Sequence, residues 1–380
     1  MRKDDTTVAD PWHFARPELA NAYLHAFDLK LSAARGLFAR RRMGKTEFLR
    51  RDLMPAAVER GYLTAYTNLW DNRNSPETAL VAALAEALEP KGAAVLLSKL
   101  RAPVRKVKAT AKIPGGVEGS LEAELGKLGM DRTAALHEVL KQLDRKRKPL
   151  LLVIDEAQVL AGADHSDFAH ALRAALDIRK DRIKVIFAGS SETNLCGMFA
   201  RASEPFFNWA PLEPFPLLGD EFVAFTVKLL NSMARQRLTL EQGKRAFDQL
   251  HRTPEFFKRF IERYMLYQPQ GDVAALAYTK ASVFSDEHSL TQWSQRKPAD
   301  QAVLYLLARG ESDLHSSAGL EKLSVMLGKP ATRNTAGHAL RRLQADNIVA
   351  RLAVGEYLIE DEAFAEWIRR RPAPLSDAQP

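Results

Sequence analysis

The chain has 380 residues, of which 46% are hydrophobic and 27% charged, and its net charge is +8. Those proportions match soluble globular proteins and exclude wholesale disorder or a fibrous class, while the length corresponds to roughly two to three domains. The positive balance is compatible with an acidic partner such as nucleic acid, and equally with a solvated basic face.

The polar segment Met1–Asp10 carries no apolar core of signal-peptide length, and no later stretch approaches the ~18 apolar residues of a membrane span, so a cytoplasmic protein without membrane attachment is expected. Helical periodicity over Pro17–Leu31 leads into a short apolar stretch, Gly36–Ala39. A basic, glycine-containing turn and a helix from about Lys45 to Arg60 follow, which makes strand, loop, helix. A second strand is expected at Tyr62–Leu69. The helix Pro76–Leu88 repeats Leu80, Leu84 and Leu88 at helical spacing, with Asn74 or Ser75 as cap and Pro76 at its first position.

The segment Pro90–Met130 reads as an insertion, its middle alternating as a two-stranded ribbon about Pro114-Gly115-Gly116. One strand carries Lys106, Lys108 and Lys112 and the other Glu118, Glu122 and Glu124, which favours cross-strand pairing over nucleic-acid contact. Next come a helix at Thr133–Leu143, the basic run Arg145-Lys146-Arg147-Lys148 read as a solvated loop, and the apolar run Leu150–Ile154. That run has the character of a buried parallel strand. A helix at Ser166–Ile178 and a strand at Ile183–Ala188 complete the alternation, which implies a doubly wound α/β layer. Cys196, the single cysteine, excludes intrachain disulfides and thiolate zinc fingers, and on an apolar helix it reads as a small buried packing residue.

Beyond Pro211-Leu212-Glu213-Pro214 the strands stop. Helices Asp220–Leu230, Thr239–Leu250 and Pro254–Met265 read as a helical lid extending to residue 297. From residue 298 the order is helix Ala299–Ala308, helix Ser316–Leu327, helix Thr332–Asp346 and strands at Val349–Leu352 and Glu356–Ile359, the order of a winged helix. A polar tail, expected to be disordered, follows Arg371.

The loop Ala39-Arg40-Arg41-Arg42-Met43-Gly44-Lys45-Thr46 lies between strand and helix, where backbone N–H groups and the helix dipole cradle a triphosphate. In that setting Lys45 reaches the β- and γ-phosphates, Thr46 places its hydroxyl on Mg²⁺, and Gly44 lets the backbone approach closely. Position 39 departs from the usual pattern, with alanine in place of glycine. The strand Leu150–Ile154 ends in Asp155-Glu156, an arrangement in which the aspartate holds Mg²⁺ through water and the glutamate polarises the attacking water. Gly189-Ser190-Ser191, after the next strand, offers hydroxyls that either sense the γ-phosphate or cap the following helix.

On Arg41-Arg42-Met43-Gly44-Lys45-Thr46, Asp155-Glu156-Ala157-Gln158, Gly189-Ser190-Ser191 and a tail from Tyr357 through Phe364 to Trp367-Ile368-Arg369, the chain resembles ATPases of the AAA+/STAND-related group with Orc/Cdc6-like architecture. The likeness runs from about Phe14 to Arg370. It implies an ASCE/AAA+-type P-loop parallel sheet over about 31–215, after an adenine-side segment 1–30, then the helical lid and the winged helix. It further implies nucleotide contacts from Phe14, Arg16 and Arg41, Arg42, Met43, Gly44, Lys45, Thr46 and Glu47, metal ligands Thr46 and Asp155, and catalytic roles for Glu156, Lys45 and Ser190. Arg201 is either an arginine offered to a neighbouring subunit's nucleotide or a surface residue; Arg252-Thr253-Pro254 and Arg259 are candidate nucleotide sensors in the lid.

Arg333, Asn334, His338, Arg341 and Arg342 on the helix Thr332–Asp346 are donors able to reach phosphates or base edges in a major groove. Winged helices of this group also pack against the ATPase core or a protein client, so both partners stay open. The expected function is an ATP- and Mg²⁺-dependent switch that forms homo-oligomers and works on double-stranded DNA, or a signalling ATPase with protein contacts only.

Overall fold

The computed structural model describes residues 10–71, 75–88, 131–161, 163–190, 192–283, 286–311, 313–346, 348–353 and 356–374. The expected ribbon within 90–130, the cap Asn74, Ser191 and the end of the polar tail lie outside these residues.

Five parallel strands form one sheet in the order β2-β3-β4-β1-β5, with β1 at Ala34–Phe38, β2 at Leu63–Asn68, β3 at Leu150–Asp155, β4 at Ile183–Gly189 and β5 at Leu212–Pro214. Strand β4 therefore stands between β1, which leads into the phosphate-type loop, and β3, which ends in the carboxylate pair. β3 and β4 are buried along their whole length, as strands covered on both faces must be. Side-chain alternation then divides β3 between two cores. Leu150, Leu152 and Ile154 join a cluster with Leu80, Leu136 and Leu172, and Leu151 and Val153 join another with Leu24, Phe27 and Phe48.

The covering helices follow from the sequence pattern. Helix α1 (Pro17–Asp28) and α2 pack on one face, α2 running from Lys45–Phe48 through a π turn at Leu49–Leu53 to Met54–Glu59. On the other face lie α3 (Pro76–Glu86), α4 (Arg132–Lys146), α5 (Ser166–Ile178) and α6 (Glu192–Ala200). Ser75 occupies the N-cap position of α3, yet its hydroxyl meets that of Thr78 at 2.7 Å instead of a backbone N–H. Two expectations need correction here. Arg145 and Lys146 form the last turn of α4, where cations complement the carbonyl end of the helix dipole, and Arg147 closes it at φ +56°. Leu212–Pro214, read as the end of the sheet pattern, forms an edge strand on β1.

After β5 come more helices than the three expected of a lid: α7 (Asp220–Met233), α8 (Leu240–Gln249) and α9 (Pro254–Leu266) share a core with α10 (Gly271–Val283), and α11 (Asp286–Ser294) follows. That core is aromatic, with Phe222, Phe247 and Phe257 in mutual contact and Phe260 stacked on Phe257. The C-terminal unit is built from α12 (Pro298–Ala308), α13 (Ser317–Leu327), α14 (Arg333–Ala345), the antiparallel pair β6 (Val349–Ala353) and β7 (Glu356–Ile359), and α15 (Glu362–Arg369). Three helices and a hairpin come in the order expected of a winged helix, and Trp293 of α11 packs into the same cluster.

Candidate functional site

Parallel strands place all their carboxyl ends on one edge, and ligands of such sheets bind there. Three segments meet at this edge: the loop after β1, Asp155-Glu156 after β3 and Ser190 after β4. Thr46 Oγ1 donates to Asp155 Oδ2 at 2.7 Å. Lys45 Nζ stands 3.7 Å from Asp155 Oδ1, outside hydrogen-bond distance, although the Lys45 side chain is only 8% exposed. A buried ammonium so loosely paired is suited to an anion. Burial and the adjacent Asp155 push the Tyr66 hydroxyl well above its ordinary value, so it keeps its proton and donates to Asp155 Oδ2 at 3.2 Å.

The loop itself has the backbone of an anion nest. Arg42 at φ +68° and Gly44 at φ +83° are left-handed on either side of Met43, and left-handed residues of this kind recur in backbone nests that bind anions. Gly44 is the first residue before the helix, where a side chain would obstruct both the conformation and the approach of a ligand. The cavity above the loop has a volume of about 430 Å³ and is lined by Trp12, His13 and Phe14 from the N-terminal segment and by Leu218, Phe222 and Lys258 from the helices after β5. That is the size of a small-ligand site.

Glu156 is held in a strained conformation, φ +54°, at the strand end. Its Oε2 accepts from Gln158 Nε2 at 2.6 Å, Ser190 Oγ at 2.8 Å and the Ser190 N–H at 3.3 Å. Ser190 thus has its hydroxyl on Glu156, which is compatible with a cap on the following helix as well. Gly189 leaves room beside it, because a Cβ there would come within 2.6 Å of Gln158 Oε1 and displace that side chain. Among the described residues no group of three or more His, Cys, Asp or Glu could hold a metal alone, so a cation at Thr46 and Asp155 needs phosphate oxygens and water to complete its shell.

No protein-family model matches the chain, and no curated relative matches it. Solved structures do. A Walker-type ATPase of Pyrococcus abyssi aligns over 93% of this chain and 95% of its own with TM-score 0.64 and 17% identity. The Aeropyrum pernix ORC2 protein, in its ADPNP-ADP complexes, aligns over 92% and 91% with TM-score 0.56 and 13% identity. Its ADP form aligns over 93% and 91% with TM-score 0.54 and 12% identity. The chain shares the fold of the Walker-type ATPase and of the ORC2 protein.

Within that ATPase fold, Arg41, Arg42, Met43, Gly44, Lys45, Thr46 and Glu47 all line the cavity, as do Phe14, Arg16, Glu156 and Ser190. The arginines divide their roles. Arg41 stacks on Trp70 at 4.2 Å, while Arg42 reaches out to Asp361 Oδ1 and Oδ2 at 3.3 Å and to Glu255 Oε2 at 3.6 Å. Glu47 pairs with Arg51 at 2.7 Å on the rim. Phe14 packs edge-on against Phe222 and Phe225, and Arg16 lies over the Phe48 and Phe215 rings with its pKa lowered by burial. Arg201 is exposed just after α6 and lies outside the cavity lining. In the lid, Pro254 lines the cavity, whereas Arg252 is engaged by Asp220 and Asp248 and Arg259 by Glu255. Cys196 is half-buried, more exposed than expected.

On α14, Arg333, Asn334, His338 and Arg341 are exposed. Arg342 differs from its expected role. Its Nε and Nη2 donate to the buried Asp300 at 2.5–3.2 Å, so its guanidinium is tied to the helix bundle while the side chain stays 36% exposed. Sequence reasoning quoted Gln158 within its motif without giving it a role, and missed Trp12, His13 and Asp52. Gln158 had a signal, two residues beyond the carboxylate; the others are assembled only by the N-terminal segment folding over α2.

Proposed function

We propose that the chain binds ATP with Mg²⁺ at the carboxyl edge of the sheet and hydrolyses it, using the nucleotide state to reorient the lid and the C-terminal unit. The observation that carries this reading is the convergence of Lys45 and Thr46 on Asp155 at 3.7 and 2.7 Å from segments more than a hundred residues apart. Support also comes from the likeness to the Aeropyrum pernix ORC2 protein, solved with ADPNP and ADP.

In this account the nest around Gly44 and the Lys45 ammonium receive the phosphate oxygens, and Thr46 with Asp155 would hold Mg²⁺, directly and through water. The metal supplies charge neutralisation on the phosphates when bound. Glu156 takes the proton of the attacking water as general base, with Ser190 and Gln158 fixing its orientation. Phe14 and Arg16 belong to the base side of the cavity, and Arg41, Arg42, Met43 and Glu47 shape the loop. For Arg201 we propose a role at a neighbouring copy's nucleotide in a homo-oligomer, a reading that its exposure allows, as it allows a plain surface arginine. Lys45→Ala and Thr46→Ala test the reading: both abolish Mg²⁺-dependent phosphate release, and Lys45→Ala abolishes equilibrium ATP binding. Unchanged ATP binding by Lys45→Ala contradicts it.

The partner we propose is double-stranded DNA, through a winged helix that presents Arg333, Asn334, His338 and Arg341 on one exposed face. The rival reading, protein contacts only, is favoured by the Arg42–Asp361 link that draws the C-terminal unit onto the phosphate loop. Titrating labelled duplex at two salt concentrations separates them. Salt-sensitive binding that weakens in Arg333→Ala/Arg341→Ala supports DNA, and its absence supports a protein client.

A further inference from the structure

Asp52 lies in the wall of the ATP-type cavity without a role in phosphate or metal binding. Its side chain is 4% exposed. One carboxylate oxygen, Oδ1, is taken by His13 Nε2 at 2.8 Å; the other, Oδ2, is buried with no hydrogen-bond partner. A buried acceptor left unsatisfied in this way is rare in folded proteins and asks for a donor. The surrounding wall offers Trp12, Phe14 and Phe222, flat apolar rings suited to an aromatic ligand. Along α2, Asp52 follows Lys45 by seven residues, roughly 10 Å at the helical rise, a separation that leads from the phosphate end of the cavity to the far end of a nucleoside. The π turn Leu49–Leu53 contains Asp52, and such turns recur at functional positions.

We infer that Asp52 is a specificity-determining residue of this site, its free Oδ2 accepting a hydrogen bond from the 6-amino group of a purine base. The inference rests on the nucleotide reading and adds the base to it. With Oδ1 already engaged by His13, one acceptor remains, which matches a single exocyclic amine. A 6-oxo purine would instead turn an acceptor toward the carboxylate and be repelled. His13 is then a positioning residue, fixing the carboxylate through Oδ1 and tying the N-terminal segment to α2.

The test is equilibrium titration of the full chain with Mg²⁺ and four probes: ATP, inosine triphosphate, purine riboside triphosphate, which lacks the 6-amino group, and 2′-deoxy-ATP. The wild type binds ATP about tenfold or more tightly than the inosine and purine riboside forms, the size of one hydrogen bond between buried groups, and binds the deoxy form like ATP. Asp52→Asn, whose amide can face either group, brings ATP and inosine triphosphate within about threefold of each other. His13→Ala frees Oδ1 and loosens the carboxylate, so it lowers the ratio of ATP to inosine triphosphate affinity partway toward that of Asp52→Asn. A purely structural Asp52 moves every probe equally and leaves the ratio unchanged, which overturns the inference. So does a wild type that binds the four probes alike, or one that discriminates only the deoxy form, a pattern that places the ribose at Asp52; neither result depends on the variants folding. If ATP binding depends on Lys45 but the base ratios are flat, this inference alone fails; if no triphosphate binds the wild type, the nucleotide reading fails with it.

Discussion

Ser190 Oγ and Gln158 Nε2 both donate to one oxygen of Glu156, so the carboxylate has a fixed direction at a strand end already strained to positive φ. Removing one donor loosens that direction without touching the phosphate loop. Ser190→Ala is therefore expected to lower kcat by on the order of tenfold with KM little changed, read in steady-state phosphate release. Gly189→Ala acts on the same group from the other side, since its Cβ would press on Gln158 Oε1 at 2.6 Å, and a similar loss of kcat is expected with ATP binding retained. Much of this site was legible in the sequence. Gly44-Lys45-Thr46 and Asp155-Glu156 sit at strand ends in chain order, and an apolar run such as Leu150–Ile154 has little choice but a buried strand. Asp52 and His13 were not legible, because their pairing depends on where residues 10–16 cross α2, a tertiary fact that no local pattern encodes. Arg342 failed for the converse reason: an arginine on a helix reads as a donor to solvent until its buried partner, Asp300, is known.

At the scale of elements, the strands and their helices came from periodicity, and the misses were short or unusually packed segments. Three residues ending in proline carry too little pattern to announce β5. The lid helices α7 and α8 approach closely at Gly243, where an added Cβ would meet Val227 Cγ2 at 2.7 Å and Val223 Cγ1 at 3.1 Å. Overpacking there costs about 1–3 kcal/mol, against about 1 kcal/mol gained by alanine in a helix. Gly243→Ala is accordingly expected to lower the stability of the lid, seen as a lower denaturation midpoint in urea with the sheet-bearing core unaffected. An unchanged or raised midpoint would mean that the two helices part at no cost.

Across the whole molecule, the phosphate loop is linked to both later units: Arg42 pairs with Glu255 of α9 and with Asp361, which also caps α15 by accepting from the Ala363 N–H at 2.9 Å. A ligand charge arriving beside Arg42 bears directly on those contacts, which is a physical route from nucleotide state to the orientation of the C-terminal unit. Within that unit, Arg342→Ala leaves the buried Asp300 without its main donor and is expected to cost about 2 kcal/mol of stability, whereas Arg333→Ala and Arg341→Ala leave stability unchanged by denaturant titration. The kinetic expectations depend on a working hydrolytic centre. The most direct measurement of it is ATP binding and single-turnover hydrolysis by Glu156→Gln beside the wild type. Binding at wild-type affinity with hydrolysis slowed by about 10²–10⁴-fold is the predicted result; hydrolysis at the original rate contradicts the account.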